Sequence, residues 1–152
     1  MDSQIRTVAT FHSSAFNTSE PKSYFINDCC FGDDLAKWLI GELRSHGLSV
    51  SEEPGQEDFG WYLNFQTDSA GSTFVISFRP DDEQKGKTWV GIIERNCGFL
   101  ASLLGGRSRR IDPAAIVAIH KILSGSPKID ELRWHFRRDF DQAREELGAA
   151  SP

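Results

Sequence analysis
A chain of 152 residues, 39% hydrophobic and 26% charged, is long enough to bury one core without disulfide or metal support. No apolar run approaches the roughly 18 residues that a bilayer-spanning helix needs, so no membrane partner is expected. The net charge of −5 is uneven: residues 1–94 hold 7 Lys/Arg against 15 Asp/Glu, a balance of −8, and the remainder carries +3. An acidic front half lacks the basic footprint of a nucleic-acid binder and suits a basic protein partner.

Residues 1–10 show neither a basic nor an apolar signal region, and the three cysteines, two of them adjacent, form no disulfide framework. A reducing cytoplasm is the expected compartment. The whole chain, 1–152, reads as a single α+β domain, with 1–4 and 148–152 expected to be disordered.

In chain order, residues 5–11 alternate and predict a first strand. Residues 12–28 turn to Ser, Asn, Thr and Pro and predict a long loop pinned by Phe25. Leu35, Trp38, Leu39 and Leu43 then fall on one helical stripe. Asp33 is the expected N-cap, Gly47 the left-handed C′ residue, and the helix spans 33–46. Residues 48–52 predict a short strand that Pro54 and Gly55 break. An acidic turn with Glu57 and Asp58 leads into a strand over 61–66.

Residues 68–71 carry the chemistry of a hairpin turn. Phe74, Ile76 and Phe78, then Trp89, Gly91 and Ile93, complete an antiparallel meander. Val75, Val90 and Ile92 predict that its second face is also partly covered. Residues 97–104 are apolar and read as a helical turn capping the sheet, or else as an exposed binding patch. Residues 106–110 are basic. Asp112-Pro113 opens a helix that Gly125 and Pro127 end.

The segment 129–147 supports two readings. Leu132, Trp134 and Phe136 alternate, while Ile129, Leu132, Phe136, Phe140, Ala143 and Leu147 are spaced helically. A strand over 131–136 and a helix over 140–147 are expected, with one continuous helix as the alternative. The fold class is therefore α+β, a mainly antiparallel sheet of about five to six strands with helices packed on one face.

Phe31-Gly32-Asp33-Asp34-Leu35, Trp38-Leu39, Glu57-Asp58-Phe59-Gly60-Trp61 and Leu132-Arg133-Trp134 together resemble the recurrent pattern of a group of small uncharacterised bacterial proteins. The resemblance spans roughly residues 27–136 and implies a bacterial, single-domain protein with no activity to carry over.

No catalytic motif is present. His12, His46, His120 and His135 are scattered, no Cys or His pair has zinc-ligand spacing, and neither metal nor cofactor is expected. Cys30, beside a helix N-terminus, reads as a packed cysteine before an activated one. The expected function is a small acidic protein-binding module, an immunity-type inhibitor of a basic bacterial toxin. Its expected partner-binding residues are Glu52, Glu53, Glu57, Asp58, Asp81, Asp82 and Glu83. The alternative is an enzyme or small-ligand binder with a pocket between the sheet and loop 12–28.

Overall fold
The computed structural model describes residues 5–79, 88–95 and 111–152. The expectations for residues 1–4, 97–104 and 106–110, and for Asp81, Asp82 and Glu83, lie outside the described residues. The described strands are β1 (Val8–His12), β2 (Ser49–Val50), β3 (Gly55–Glu57), β4 (Gly60–Gln66), β5 (Gly71–Arg79), β6 (Thr88–Arg95) and β7 (Asp130–His135). The described helices are α1 (Asp33–Ser45), α2 (Pro113–Ser124) and the short α3 (Arg137–Asp141), followed by a 3-10 turn at Glu145–Leu147.

All strands join one antiparallel sheet in the order β2-β4-β5-β6-β1-β7, with β3 also on β4. The expected meander is β4-β5-β6, and the first and last strands extend it on the β6 side. This is an α+β fold.

Alternation along the strands assigns the two faces. Phe11, Leu63, Phe74, Ile76, Trp89, Ile93 and Trp134 are buried in one core with Leu35, Leu39 and Leu43 of α1 and Ile116, Ile119 and Leu123 of α2. The two long helices thus share one face.

Helix α1 stops where its sequence says it should. The Leu48 N–H bonds the Leu43 carbonyl at 3.1 Å and the Gly47 N–H bonds the Arg44 carbonyl at 2.9 Å, with Gly47 at φ 84. These two bonds are the Schellman closure. The start differs from expectation. Gly32, at φ 127, is the cap residue, and Asp33 is the first helical residue with a buried side chain that makes no cap bond. The Asp33 carboxylate instead accepts the Tyr24 hydroxyl. Trp38 lies at the core margin and is only partly buried.

Loop 12–28 fills the mouth of the core rather than lying over it. Phe16 sits between Trp38 and Trp89, at 5.6 and 6.4 Å between ring centroids. Phe25 stands 5.8 Å from Phe31 and 6.0 Å from Trp61. Two aromatic anchors hold this loop, where only Phe25 was expected.

The last segment is a strand followed by broken helix. Ala143 at φ 58 interrupts the backbone between α3 and the 3-10 turn, so neither a helix over 140–147 nor a continuous helix forms. The segment crosses the second face of the sheet, where Glu145 pairs with Arg79 at 2.6 Å and Arg137 approaches Glu94 at 3.7 Å. Residue 149, expected in a disordered tail, exchanges two backbone hydrogen bonds with Trp134 at 2.7 and 2.9 Å.

Candidate functional site
Of the acidic residues expected to bind a partner, the four that the structure describes, Glu52, Glu53, Glu57 and Asp58, lie along one sheet edge. Pro54 was expected to end pairing there. Lacking an N–H, it sits between two short edge strands, and pairing resumes at Gly55. Strands β3 and β4 form a hairpin in which Glu57 faces Gly60 across the two-residue turn Asp58-Phe59. Glu52 and Glu53 lie in the β2–β3 connection, and all four carboxylates are exposed.

The hairpin is fastened to loop 12–28. The Gln56 amide oxygen accepts the Ile26 N–H at 2.7 Å, and its NH2 donates to the Tyr24 carbonyl at 3.0 Å. Ser77 donates to the Phe59 carbonyl at 2.9 Å from the neighbouring strand. Tyr24, Ile26 and Phe59 are each about half exposed. Sequence reasoning singled out the carboxylates and did not place these apolar side chains beside them, because the contact that joins them spans thirty residues of chain.

The Tyr24 phenol is pushed up to about 12 by its hydrogen bond to Asp33, then by partial burial and the charges of Asp33 and Asp34. It therefore stays a neutral donor. Cys30 is buried, its thiol facing the Glu57 carbonyl at 3.7 Å. Burial pushes this thiol up, opposite to what a nucleophile at a helix N-terminus requires. Cys30 is a packed side chain.

A second feature lies on the other sheet face. A cavity of about 680 Å3 opens between β5, β6, β1 and β7 below and residues 143–146 above. It is not the pocket expected between the sheet and loop 12–28, although His12 borders both. Arg79, Thr88 and His12 occupy neighbouring strands in register, and Asp130 follows opposite His12. A register shift in the β1–β7 pairing comes just before His12, and Glu131 takes φ 53. Together they bring the Glu131 carboxylate 3.2 Å from His12 Nδ1.

His135 is buried at the cavity's inner end. Its Nε2 contacts the Thr10 hydroxyl at 2.8 Å, and its Nδ1 has no hydrogen-bond partner among the described residues. Burial pushes its pKa down; the Glu145 carboxylate opposes this, and Arg133, Arg79 and Arg6 add to it. These surroundings favour the neutral ring. His120 is elsewhere, accepting the Trp134 indole N–H at 3.0 Å. Among the described residues no group of three or more His, Cys, Asp or Glu is arranged to hold a metal ion, and no helix is long and apolar enough to cross a membrane.

Among the described residues, fold and surface define an α+β protein with its two long helices on one sheet face, an acidic aromatic edge and a charged cavity on the opposite face. Comparison of the chain with protein-family models, curated proteins and solved structures finds no match.

Proposed function
We propose that this protein is a protein-binding module that docks its acidic, aromatic edge on a basic partner, in the manner of an immunity-type inhibitor of a basic toxin. The observation that carries this reading is the company the carboxylates keep. Among the described residues, three of the five exposed large hydrophobic side chains, Tyr24, Ile26 and Phe59, stand on the hairpin and the loop fastened to it, beside Glu57 and Asp58. Aromatic anchors within a polar rim are the usual anatomy of a protein interface.

The edge is also held ready. The Gln56 bonds and the Tyr24–Asp33 bond fix the loop before any partner arrives, which lowers the ordering cost of association. Exposed carboxylates add attraction over about a Debye length, roughly 8–10 Å near physiological ionic strength. They act mainly on the rate of encounter, while the aromatic groups act on the lifetime of the complex.

The test follows from that division. A partner captured from the native host is measured against wild type, against Glu52→Gln/Glu53→Gln/Glu57→Gln/Asp58→Asn, and against Phe59→Ser. The fourfold variant is expected to associate about tenfold or more slowly at low salt, converging with wild type at high salt. Phe59→Ser is expected to dissociate faster with little change in association. Equal rates for all three proteins at low salt would remove this edge as the docking surface.

A further inference from the structure
The C-terminal segment lies across the second sheet face on few attachments. From Phe140 to Ala150 no residue is buried, so little apolar contact holds it. What fixes it is polar: Glu145 pairs with Arg79 at 2.6 Å, and Ala149 exchanges backbone hydrogen bonds of 2.7 and 2.9 Å with Trp134. The strands beneath are rooted in the core by Phe11, Phe74, Trp89 and Trp134. A segment so lightly attached opens locally at a smaller free energy than the sheet it covers.

Under this segment lies His135, 2% exposed. Gly148 closes over the ring so tightly that a Cβ at 148 would stand 2.5 Å from Cε1 and 2.7 Å from Nδ1. On β1 the Thr10 hydroxyl meets Nε2 at 2.8 Å, and α3 presents the Phe140 ring at 6.2 Å. Protonation places an N–H on both ring nitrogens. The one at Nδ1 then becomes a buried donor pressed against a glycine, with no acceptor among the described residues. The charge is as badly placed as the proton. Among the described residues, Glu145 faces the ring from the covering segment, against Arg133 from β7, Arg79 from β5 and Arg6 from the chain before β1. His12, Glu131 and Glu146 line the same cavity, and the first two pair with each other at 3.2 Å. The facing carboxylate of Glu145 already serves Arg79. Burial first, and then the three guanidinium groups, resist an imidazolium for as long as the segment covers it.

We propose that protonation of His135 releases residues 143–149 from the second sheet face, a one-proton latch that opens the cavity while the rest of the sheet stays folded. Ala143, left-handed at φ 58 just beyond α3, is the hinge end, and Ala149 is the end that lets go. Once uncovered, His135 regains its ordinary proton affinity. Opening therefore grows as pH falls below about 6.5, by at most about tenfold per pH unit.

The experiment is amide hydrogen exchange on the full chain from about pH 7.5 to 5, each rate corrected for that of the unstructured chain at the same pH. The reporters are the Ala149 and Trp134 N–H groups, each bonded to the other's carbonyl, and Phe74 in β5 is the reference. Protection at Ala149 is expected to fall about fivefold or more across that range while protection at Phe74 holds. His135→Gln is expected to abolish the fall. Gly148→Ala, whose Cβ meets the ring, is expected to lose protection at Ala149 already at neutral pH, with no further loss on acidification. This second variant decides the matter if His135→Gln does not fold. Constant protection at Ala149 in wild type, an equal fall at Phe74, or an undiminished fall in either variant would overturn the proposal.

Discussion
At Gly60 the backbone runs at φ 147, and a Cβ would stand 2.0 Å from the Ile76 carbonyl oxygen. That clash is with backbone in the neighbouring strand, so a side chain at 60 must push β4 and β5 apart. Gly60→Ala is expected to cost about 3 kcal/mol or more by urea denaturation, combining strain with overpacking. A loss below about 1 kcal/mol would show that the hairpin yields there instead. Ala143 is the opposite case. It is exposed and left-handed at φ 58, so Ala143→Gly removes strain and loses no packing. A gain of up to about 1 kcal/mol is expected, the smaller gain reflecting the greater freedom of glycine in the unfolded chain. Glycine 60 was visible in the sequence as part of a motif, but its reason was not. The reason is a carbonyl sixteen residues away, brought there by β4–β5 register.

Elements were legible wherever their signals are local. Helix α2 begins at the Asp112-Pro113 pair that its sequence advertises, and the Asp112 carboxylate accepts the Ala114 N–H at 3.0 Å. The same carboxylate accepts the hydroxyls of Ser69 and Thr67, tying the helix start to the β4–β5 turn. These bonds, Ser69's and Thr67's first, hold its pKa below the ordinary carboxylate range. Asp112→Ala is expected to destabilise by about 1–2 kcal/mol, and Asp112→Asn by less, since an amide oxygen still caps. Equal losses for the two would mean that charge, and not the cap bond, is what matters. Where signals conflict or depend on distant chain, the sequence was a poorer guide. The helical spacing through Phe140, Ala143 and Leu147 was real, yet Ala143 breaks the backbone, so periodicity did not become a helix. Asp33 had the chemistry of a cap, and the Tyr24 hydroxyl claimed it. Strand β3 was hidden because its three residues begin at the glycine of a Pro-Gly pair and carry too little alternation to read. The cavity was hidden more deeply, since Arg79, Thr88, His12 and Glu131 meet only through four-strand register.

For the molecule as a whole, the perturbed groups bracket the pH range in which the fold is most stable. His135 has a folded pKa below its ordinary 6.5, so the unfolded chain binds the extra proton more readily. Its contribution is therefore complete above about pH 6.5 and is lost as pH falls through the depressed folded value. Asp112 acts in the same direction lower down, being complete above its ordinary 3.8 and lost as pH falls further. Tyr24 closes the alkaline side. Its folded pKa is raised from 10.0 to about 12, so its contribution is complete below about pH 10 and fades as pH rises through 12. The buried Cys30 thiol, raised from its ordinary 9.0, begins to lose its contribution earlier, above about pH 9, so together these groups place a stability plateau between about pH 6.5 and 9. The acid shoulder is the sharper test, because His135 is buried against Thr10 and Gly148 while Tyr24 is half exposed. His135→Gln retains a polar group near Thr10 and cannot titrate. The stability advantage of wild type over this variant is expected to shrink steadily as pH falls from about 7 to 5, measured by urea denaturation at each pH. A constant difference across that range would mean that His135 does not titrate within it, and the acid shoulder would then belong to the carboxylates alone.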